Sequence, residues 1–450
     1  YRQTGGGTYN GVGNYRGIQN VAGGTPAGST YKVHHNKIHD VASGIVYVPN
    51  GATDAGIQAY NNWEYDINSS VDISNTGAQM TGSLIHDNHF GTTMVWDFTG
   101  CATHHNSLHA FATIAAGAVN AGIDFYNNFI DGDWGFCGTA GLFMEGNAQG
   151  GNQNYRVFNN VWAMTGLNTT TWISSIVSLS GSGTMGFYNN TIIHPNLPPR
   201  PVLATGDTLN ITVKNNVIMS LRNANLVILG GTPTLVAWDY NLYETPANFT
   251  QIFGLPPTYW SFTTWKSAHA GVDIHSTYYA TGGSMLINTT TGVQSAGSPT
   301  IDSGVDLSGL GITALNSDAL GNARGAGAGW DVGAFEFGAG VPTPSTPTGV
   351  HMASFVGSTF AIPIWAPCTD GCVGYLVYRS LVSGVYGTPI ATITVASAAA
   401  ASSSISRTLI PWLMQTLNFP SRSSAIRARQ SGLPKKSLSC SSTRRGYGSP

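Results

Sequence analysis

The sequence is poor in charge, since Lys, Arg, Asp and Glu together make up only 9% of its 450 residues. Soluble domains usually contain about a quarter of such residues, so a coiled coil or a charged helical array is excluded. No apolar run approaches the ~18 residues that cross a bilayer, and we expect no membrane insertion. A formal net charge of -2 gives no reason to expect nucleic acid as a partner. Five Cys allow two disulfides and one free thiol, but the sequence does not show which Cys would pair.

The basic residues are unevenly distributed along the chain. The last fifty residues contain eight Lys or Arg and no acid, whereas residues 1–400 hold all 21 acidic side chains. The basic residues of this stretch are scattered among Ser without a helical or strand period. We predict that residues 399–450 form a basic, Ser-rich tail that is disordered or out-of-frame and plays no part in function.

Asn is abundant where charge is scarce, and it ends a short repeated unit of an apolar residue, a ring, a polar residue and then Asn. The final Asn of each unit is at position 36, 62, 88, 106, 128, 160, 190, 216 or 241. The steps between them run from 18 to 32 residues, shorter than the ~40 of a β-propeller blade. Steps in the twenties fit one coil of three short strands, stacked in parallel about 4.8 Å apart.

Asn suits such a turn for two reasons. It tolerates the left-handed backbone conformation, and its amide can hydrogen-bond to the equivalent amide in the coils above and below. A ladder of this kind satisfies buried polar groups without charge. We therefore predict stacked Asn at the turns and Gly at the other corners, which accounts for the 57 Gly.

This repeat resembles that of the right-handed, pectate-lyase-like parallel β-helix proteins over roughly residues 15 to 300. The motifs at 297–304, 318–324 and 331–336 resemble the segment that ends many secreted bacterial β-helix proteins. The resemblance implies an all-β, right-handed, single-stranded parallel β-helix over residues 1–338, in a secreted or cell-surface monomer. The family includes lyases, hydrolases, epimerases and noncatalytic adhesins, so the fold alone does not define the chemistry.

A second, smaller domain is predicted after a linker rich in Pro, Gly and Thr at residues 339–350. Residues 351–398 resemble the first half of a fibronectin type III domain, with strands around Ile364 and over residues 374–380. The second half is not recognisable, and we expect a small, incomplete β-sandwich.

An aromatic and imidazole stripe is predicted on the surface, two residues before each Asn. Its members are His34, Tyr60, His86, His104, Tyr126, Phe158, Tyr188, Lys214 and Asp239. Ring faces suit the apolar faces of sugars, so Tyr60, His86 and Tyr126 are candidate substrate-binding residues. The alternative, equally weighted, is that the rings only stabilise the coils. His39 and His109 share another predicted position, three residues after the Asn.

The richest segment for chemistry runs from residue 96 to residue 145. Its candidate catalytic residues are His104, His109, Asp131, Asp133 and Glu145, with Trp96 and Trp134 as further substrate-binding residues. Carboxylates and imidazoles beside rings can supply the acid and base of glycan cleavage. Asp131 and Asp133 are also candidate Ca²⁺ ligands. The alternatives are that residues 131–135 are an ordinary turn and that the His residues stack for structural reasons.

Two functional hypotheses follow from these residues. The first is a polysaccharide lyase or glycoside hydrolase acting through a surface groove, and the second is a noncatalytic carbohydrate-binding or adhesive protein. Lyases of this fold resemble one another in using an Arg or Lys base beside Ca²⁺, but the repeats hold few candidates, namely Lys37, Arg156, Lys214 and Arg222, and the lyase pattern is not matched residue by residue. A His or a carboxylate is therefore the predicted base if the protein is an enzyme.

Overall fold

The computed structural model describes residues 16–20, 31–50, 53–93, 105–113, 117–135, 140–145, 151–166, 175–194, 202–205, 208–221, 225–245, 253–255 and 258–338, and four short strands beyond residue 350. The chain divides into two compact units, Tyr1–Ala339 and Gly340–Pro450, which are described separately. Strands dominate the residues that the structure describes, so the all-β prediction is confirmed. No helix in the described ranges is long and apolar enough to cross a membrane.

The first unit contains 27 strands, one short α-helix and two 3-10 turns among its described residues. In chain order the strands are β1 (Arg16–Gln19), β2 (Tyr31–His34), β3 (Lys37–Tyr47), β4 (Ile57–Tyr60), β5 (Trp63–Asn75), β6 (Gln79–Met80), β7 (Ser83–His86), β8 (His89–Phe90), β9 (Asn106–Ala112), β10 (Val119–Ala121), β11 (Ile123–Tyr126), β12 (Phe129–Asp133), β13 (Ala140–Glu145), β14 (Asn152–Phe158), β15 (Val161–Gly166), β16 (Ser175–Leu179), β17 (Ser182–Tyr188), β18 (Thr191–His194), β19 (Leu203–Thr205), β20 (Thr208–Lys214), β21 (Val217–Ser220), β22 (Val227–Leu229), β23 (Thr234–Asp239), β24 (Leu242–Glu244), β25 (Phe253–Leu255), β26 (Thr258–Trp260) and β27 (Thr277–Tyr279). The helix is α1 (Phe262–Ala268), and the 3-10 turns are Ser308–Leu310 and Thr313–Asn316.

These strands form two sheets that are built almost wholly from parallel pairs. The first has ten strands, and its main path, called row 1 here, is β2-β4-β7-β11-β14-β17-β20-β23. The second has 17 strands in two rows. Row 2 runs from the first halves of β3 and β5 through β8, β12, β15, β18, β21 and β24 to β27. Row 3 runs from β1 through the second halves of β3 and β5 to β9, β13, β16, β19, β22 and β25.

Long strands join rows 2 and 3. Both β3 and β5 bend at one Asp with a positive φ, 56° at Asp40 and 52° at Asp66, a conformation that Asp adopts more readily than most residues. The chain thus passes from row 1 to row 2 to row 3 before it returns to row 1. This parallel arrangement is compatible with the predicted β-helix.

The predicted Asn ladder is present at the turn from row 1 to row 2. Each amide nitrogen donates to the amide oxygen of the next Asn at 3.0 or 3.1 Å, through Asn36, Asn62, Asn88, Asn128, Asn160, Asn190, Asn216 and Asn241. The ladder ends where the Asn241 backbone nitrogen donates to the Ser276 hydroxyl at 2.8 Å.

The left-handed conformation and the stacked hydrogen bonds, both predicted for one Asn, belong to two neighbouring residues. The residue before each ladder Asn takes the left-handed conformation, with φ between 49° and 59° at His35, Asn61, Asp87, Asn127, Asn159, Asn189, Asn215 and Tyr240. The ladder Asn itself makes the stacked hydrogen bonds. The prediction that one Asn does both is therefore corrected.

Asn106 is not part of this ladder, which is a second correction. Asn88 bonds directly to Asn128, 40 residues later, so the two short steps of 18 and 22 belong to one coil. Asn106 lies at the start of β9 in row 3, where it pairs with Ser69. For the same reason His109, in row 3, and His39, in row 2, do not share a position in the coil.

The core lies between the rows and is filled by the inward, mostly aliphatic and aromatic side chains of successive coils. Glu64 is the exception, because its carboxyl is fully buried and, among the described residues, neither oxygen has a hydrogen-bond partner. It packs so closely against Gly44 that a Cβ there would overlap it. Burial, and secondly the charge of Asp72, raise the pKa of Glu64 well above its usual value, so it is a neutral acid.

The C-terminal segment, residues 285–337, covers the later coils of the unit. Leu307, Ile312, Leu315 and Trp330 pack on Phe158 and Tyr188 of row 1. Met285, Val332, Ala334 and Phe335 pack on Val161, Val217 and Leu242 of row 2. Between these two contacts, Asn159, Asn189 and Asn215 each donate to backbone oxygens of the segment at 2.7 to 3.0 Å.

A buried guanidinium holds this segment together. Arg324 donates to Asn159 Oδ1 at 2.8 Å and to the Gly333 carbonyl at 3.0 Å, and it lies 3.5 Å from Glu336. Burial lowers the pKa of Arg324 to about 10, against the opposing effect of nearby carboxylates, and the group stays charged at neutral pH. This motif, expected at the end of the β-helix, thus fastens the segment to the coils.

The second unit shows four short strands in two antiparallel pairs. These are β28 (His351–Ser354) with β29 (Ala361–Ile364), and β30 (Gly374–Val377) with β31 (Ala391–Thr394). The predicted strands near Ile364 and over 374–380 are present in part. The predicted linker and tail lie outside the described residues.

Candidate functional site

Row 3 brings one imidazole between two carboxylates. The register places His109 of β9 beside Asp72 of β5 and beside Phe143 of β13. His109 Nε2 lies 2.8 Å from Glu145 Oε2, and His109 Nδ1 lies 3.8 Å from Asp72 Oδ1. Asp72 Oδ1 also accepts a hydrogen bond of 2.6 Å from the Ser69 hydroxyl. We call Asp72, His109 and Glu145 the His109 cluster.

The surroundings of the His109 cluster hold the imidazole in a fixed orientation while leaving it open to solvent. The ring stacks on Phe143 with centroids 5.1 Å apart and planes 8° apart. The side chain of His109 is 12% exposed and that of Glu145 is 50% exposed. An imidazole that is oriented by carboxylates and reachable from solvent can take up or donate a proton during a reaction.

Row 2 carries a second pair of the same type. His89 Nε2 lies 2.9 Å from Asp131 Oδ1, and both side chains are about one-third exposed. Trp63 stacks on His89 at 6.0 Å, and Lys37 Nζ lies 4.3 Å from the Trp63 ring. With 38% of its surface exposed, Trp63 is among the most accessible large apolar residues described. These residues form a surface of rings and polar groups on the outside of row 2.

The predicted stripe on row 1 is present, except that His86 pairs directly with Tyr126 without His104 between them, and it does not have the expected use. His34, Tyr60, His86, Tyr126 and Phe158 stack in sequence, with centroids 4.7 to 5.1 Å apart and planes 4° to 13° apart. Each ring face is therefore covered by the next ring. Tyr60, His86 and Tyr126 present only their edges, which corrects the prediction that sugars stack on their faces.

The stripe is also partly covered. Burial, followed by the charges of Asp87 and Asp124, raises the pKa of Tyr126 to about 12, so its hydroxyl stays protonated. Farther along, Phe158 and Tyr188 pack under the C-terminal segment. The geometry therefore favours the structural interpretation of this stripe.

Asp133 and Trp134 have local structural roles. Asp133 Oδ1 accepts a hydrogen bond of 2.8 Å from the Gly135 nitrogen, as in an ordinary turn. Trp134 is fully buried and its indole donates to the Asp131 carbonyl at 2.7 Å, so the prediction that it binds substrate is wrong. No group of three or more potential metal ligands occurs among the residues described, so no third side chain joins Asp131 and Asp133 as a Ca²⁺ ligand there.

The predicted catalytic residues fall into two groups. Asp131 and Asp133 lie on β12 in row 2, whereas His109 and Glu145 lie on β9 and β13 in row 3. His104 and Trp96 lie outside the described residues. Of these predicted residues, His109 and Glu145 are in direct contact.

Sequence reasoning missed Asp72 and Trp63. Asp72 stands 37 residues before His109, a separation that matches no step of the Asn repeat. Trp63 directly follows a ladder Asn, and Lys37, His89 and Phe129 do so in the neighbouring coils. This shared position after the Asn is the sequence signal that could have identified Trp63.

No family model, curated protein or solved structure matches this chain.

Proposed function

We propose that this protein is a polysaccharide-acting enzyme whose proton transfer is performed by the His109 cluster. The observation that carries the proposal is the position of His109, 2.8 Å from Glu145 and 3.8 Å from Asp72 on the outer surface of row 3. Glycan cleavage needs one group to donate a proton to the leaving oxygen or another to remove a proton, and this cluster contains groups of both kinds.

The fold supports the same proposal. Stacked parallel strands offer a long outer surface along which an extended chain of sugars can lie. On row 2, Trp63 supplies an exposed ring edge, since its faces lie against His89 and Lys37, and His89 and Asp131 supply hydrogen-bonding groups for such a chain. We further propose that the protein is a pectate-lyase-like β-helix of secreted or cell-surface type, with a fibronectin type III-like second domain.

The test is turnover of a glycan panel by His109→Gln, Glu145→Gln and Asp72→Asn variants of the full chain. New reducing ends report hydrolysis, and the ultraviolet absorbance of unsaturated sugars reports β-elimination. His109→Gln should lower kcat by about 100-fold or more, because Gln cannot transfer the proton, while KM changes little.

A matched control variant is available at His275. Its Nδ1 lies 2.6 Å from Asp239 Oδ2 and its ring stacks on Tyr240 at 4.6 Å, so it is another surface imidazole with a carboxylate and a ring. His275→Gln should leave kcat unchanged. Full activity in His109→Gln, or equal loss in both variants, would refute the proposed role of His109.

A noncatalytic glycan-binding protein is the second candidate. It is favoured by the exposure of Trp63 beside Tyr65, at 5.2 Å between ring centroids, on a rigid sheet surface. Binding that is lost in Trp63→Ala, without turnover of any glycan in the panel, would support this candidate over the first.

A further inference from the structure

Between Lys37 and Arg156 the chain carries no Lys or Arg. From residue 38 to residue 155 the sequence contains eleven acidic residues: Asp40, Asp54, Glu64, Asp66, Asp72, Asp87, Asp97, Asp124, Asp131, Asp133 and Glu145. This stretch includes the whole His109 cluster and the His89–Asp131 pair. Apart from its His residues, this stretch therefore contributes only negative charge, and the Lys nearest to it in the sequence is Lys37.

Many of these carboxylates are on the solvent side of rows 2 and 3. The side chains of Asp40, Asp131 and Glu145 are 36%, 30% and 50% exposed, and Asp72 is 15% exposed. Asp40 and Asp66 occupy equivalent bends of adjacent coils. Burial, and secondly the charge of Asp40, raise the pKa of Asp66, which shows that these carboxylates repel one another.

The two cations that flank this stretch, Lys37 and Arg156, do not offset its negative charge. Lys37 precedes the stretch, and its ammonium lies 4.3 Å from the Trp63 ring and 5.1 Å from the Tyr65 ring. Arg156 follows the stretch and is bound on row 1 to Asp124 at 2.6 Å. Recognition of a carboxylate or sulfate on a sugar requires a cation or a bound metal ion, and the described residues of rows 2 and 3 provide no group of three metal ligands.

We propose that the glycan taken by this surface carries no carboxylate or sulfate groups. This inference rests on the proposed function and narrows its substrate class to neutral polysaccharides. Neutral sugars have no acidic proton next to a carboxyl group, so β-elimination is not available to them. The matching reaction is hydrolysis, in which the glycosidic C–O bond breaks, the leaving oxygen gains a proton, and water adds to the anomeric carbon and gives up a proton.

The experiment compares glycans that share a backbone but differ in charge. Binding of the full chain to hydroxyethyl and carboxymethyl derivatives of cellulose and of xylan is measured by affinity electrophoresis, at low and at high salt. At low salt the uncharged member of each pair should bind about tenfold or more tightly, and salt should narrow the difference, because exposed charges are screened.

A double variant tests the charge directly. Asn tolerates the left-handed conformation as Asp does, so Asp40→Asn with Asp66→Asn removes two charges and preserves the bends. It should strengthen binding of the carboxymethyl glycans several-fold at low salt. Asp302→Asn with Asp306→Asn removes two charges from the C-terminal segment, one of them also at a left-handed residue, and should have no such effect.

The outcomes separate the two proposals. Equal or tighter binding of the carboxymethyl glycans by the natural chain would overturn the inference and leave the proposed function standing. An unchanged preference in the Asp40/Asp66 double variant would also overturn it, since the carboxylates would then not be the cause. Failure to bind any glycan, charged or neutral, would overturn the proposed function and the inference together.

Discussion

Replacing one ladder residue should destabilise the protein far more than replacing the residue before it. In Asn128→Ala the amide is lost from the middle of the ladder, where it makes four hydrogen bonds. Its nitrogen donates to Asn160 Oδ1 at 3.0 Å and to the Ile85 carbonyl at 2.9 Å. Its oxygen accepts from the Asn88 backbone and side-chain nitrogens at 3.1 and 3.0 Å. All of these groups are buried.

The size of the loss in the free energy of unfolding depends on which groups lose their hydrogen-bond partners. Each net hydrogen bond contributes about 1 kcal/mol, and a buried donor left without an acceptor costs about 1–3 kcal/mol. The Asn88 side chain keeps its bond to the Ala59 carbonyl, and Asn160 Oδ1 keeps its bond from the Asn128 backbone nitrogen. The Asn88 backbone nitrogen loses the Asn128 acceptor. We therefore expect a loss of about 4 kcal/mol in the free energy of unfolding.

Asn127→Gly is the matched control, one residue away. Asn127 has φ 53°, which Gly adopts without strain, and its side chain makes a bond of 3.2 Å to Asp87 at the surface. This variant should change stability by no more than about 1 kcal/mol. Urea unfolding followed by circular dichroism measures both, provided that the m-values agree. If Asn128→Ala costs no more than Asn127→Gly, the ladder amides do not stabilise the turns and the reasoning is refuted.

Two further predictions concern the buried ionisable side chains of Glu64 and Arg324. The folded-state pKa of Glu64 lies above its unfolded value of 4.5, so the folded protein binds the extra proton and stability falls as the pH rises above 4.5. Glu64→Gln should flatten that fall when urea unfolding is measured at a series of pH values from 4.5 upward, and an unchanged slope would contradict this assignment. Arg324→Ala should cost about 3–5 kcal/mol because it removes the buried cation beside Glu336 and the donor to Asn159 Oδ1. Arg156→Ala, at a half-exposed ion pair, should cost about 1 kcal/mol or less, and equal losses in the two Arg variants would contradict the role of the buried guanidinium.

The sequence predicted the repeated part of the fold well because its cause is local. A ladder Asn needs only a short strand before it and the same residue one coil away, and both can be recognised along the chain. Asn106 shows the limit of this reasoning, because the segment 104–106 has the same residue types as a true unit. Only the pairing of β9 with β5 and β13 shows that it belongs to another row. Strand pairing depends on coil length, which insertions change without any periodic signal.

The candidate site was predicted in part for a related reason. His109 and Glu145 were identified because imidazoles and carboxylates are rare and concentrated in that segment. Their partner Asp72 is at the surface of row 3 because β5 bends at Asp66 and continues for a second row, instead of ending after one. Neither the composition of the sequence nor the spacing of its residues predicts the bend of β5 at Asp66. Trp134 was misplaced because a Trp beside two Asp looks like a surface group, whereas it follows the irregular end of β12 and its side chain is fully buried.

The row 1 stripe shows what residue spacing leaves undetermined at a functional surface. Apart from His104, which the repeat wrongly places between His86 and Tyr126, it correctly predicts which rings are neighbours, but not the direction in which their planes face. Coils stack at about the thickness of an aromatic ring with its contact distance, so a ring above a ring closes both faces. Row 3 differs because one column mixes residue types, with Asp72, His109 and Phe143 in successive coils, and because His109 also contacts Glu145 on the diagonal. A mixed column leaves polar atoms pointing to solvent. A search for chemistry on a stacked fold should therefore favour columns that mix residue types over columns of uniform rings.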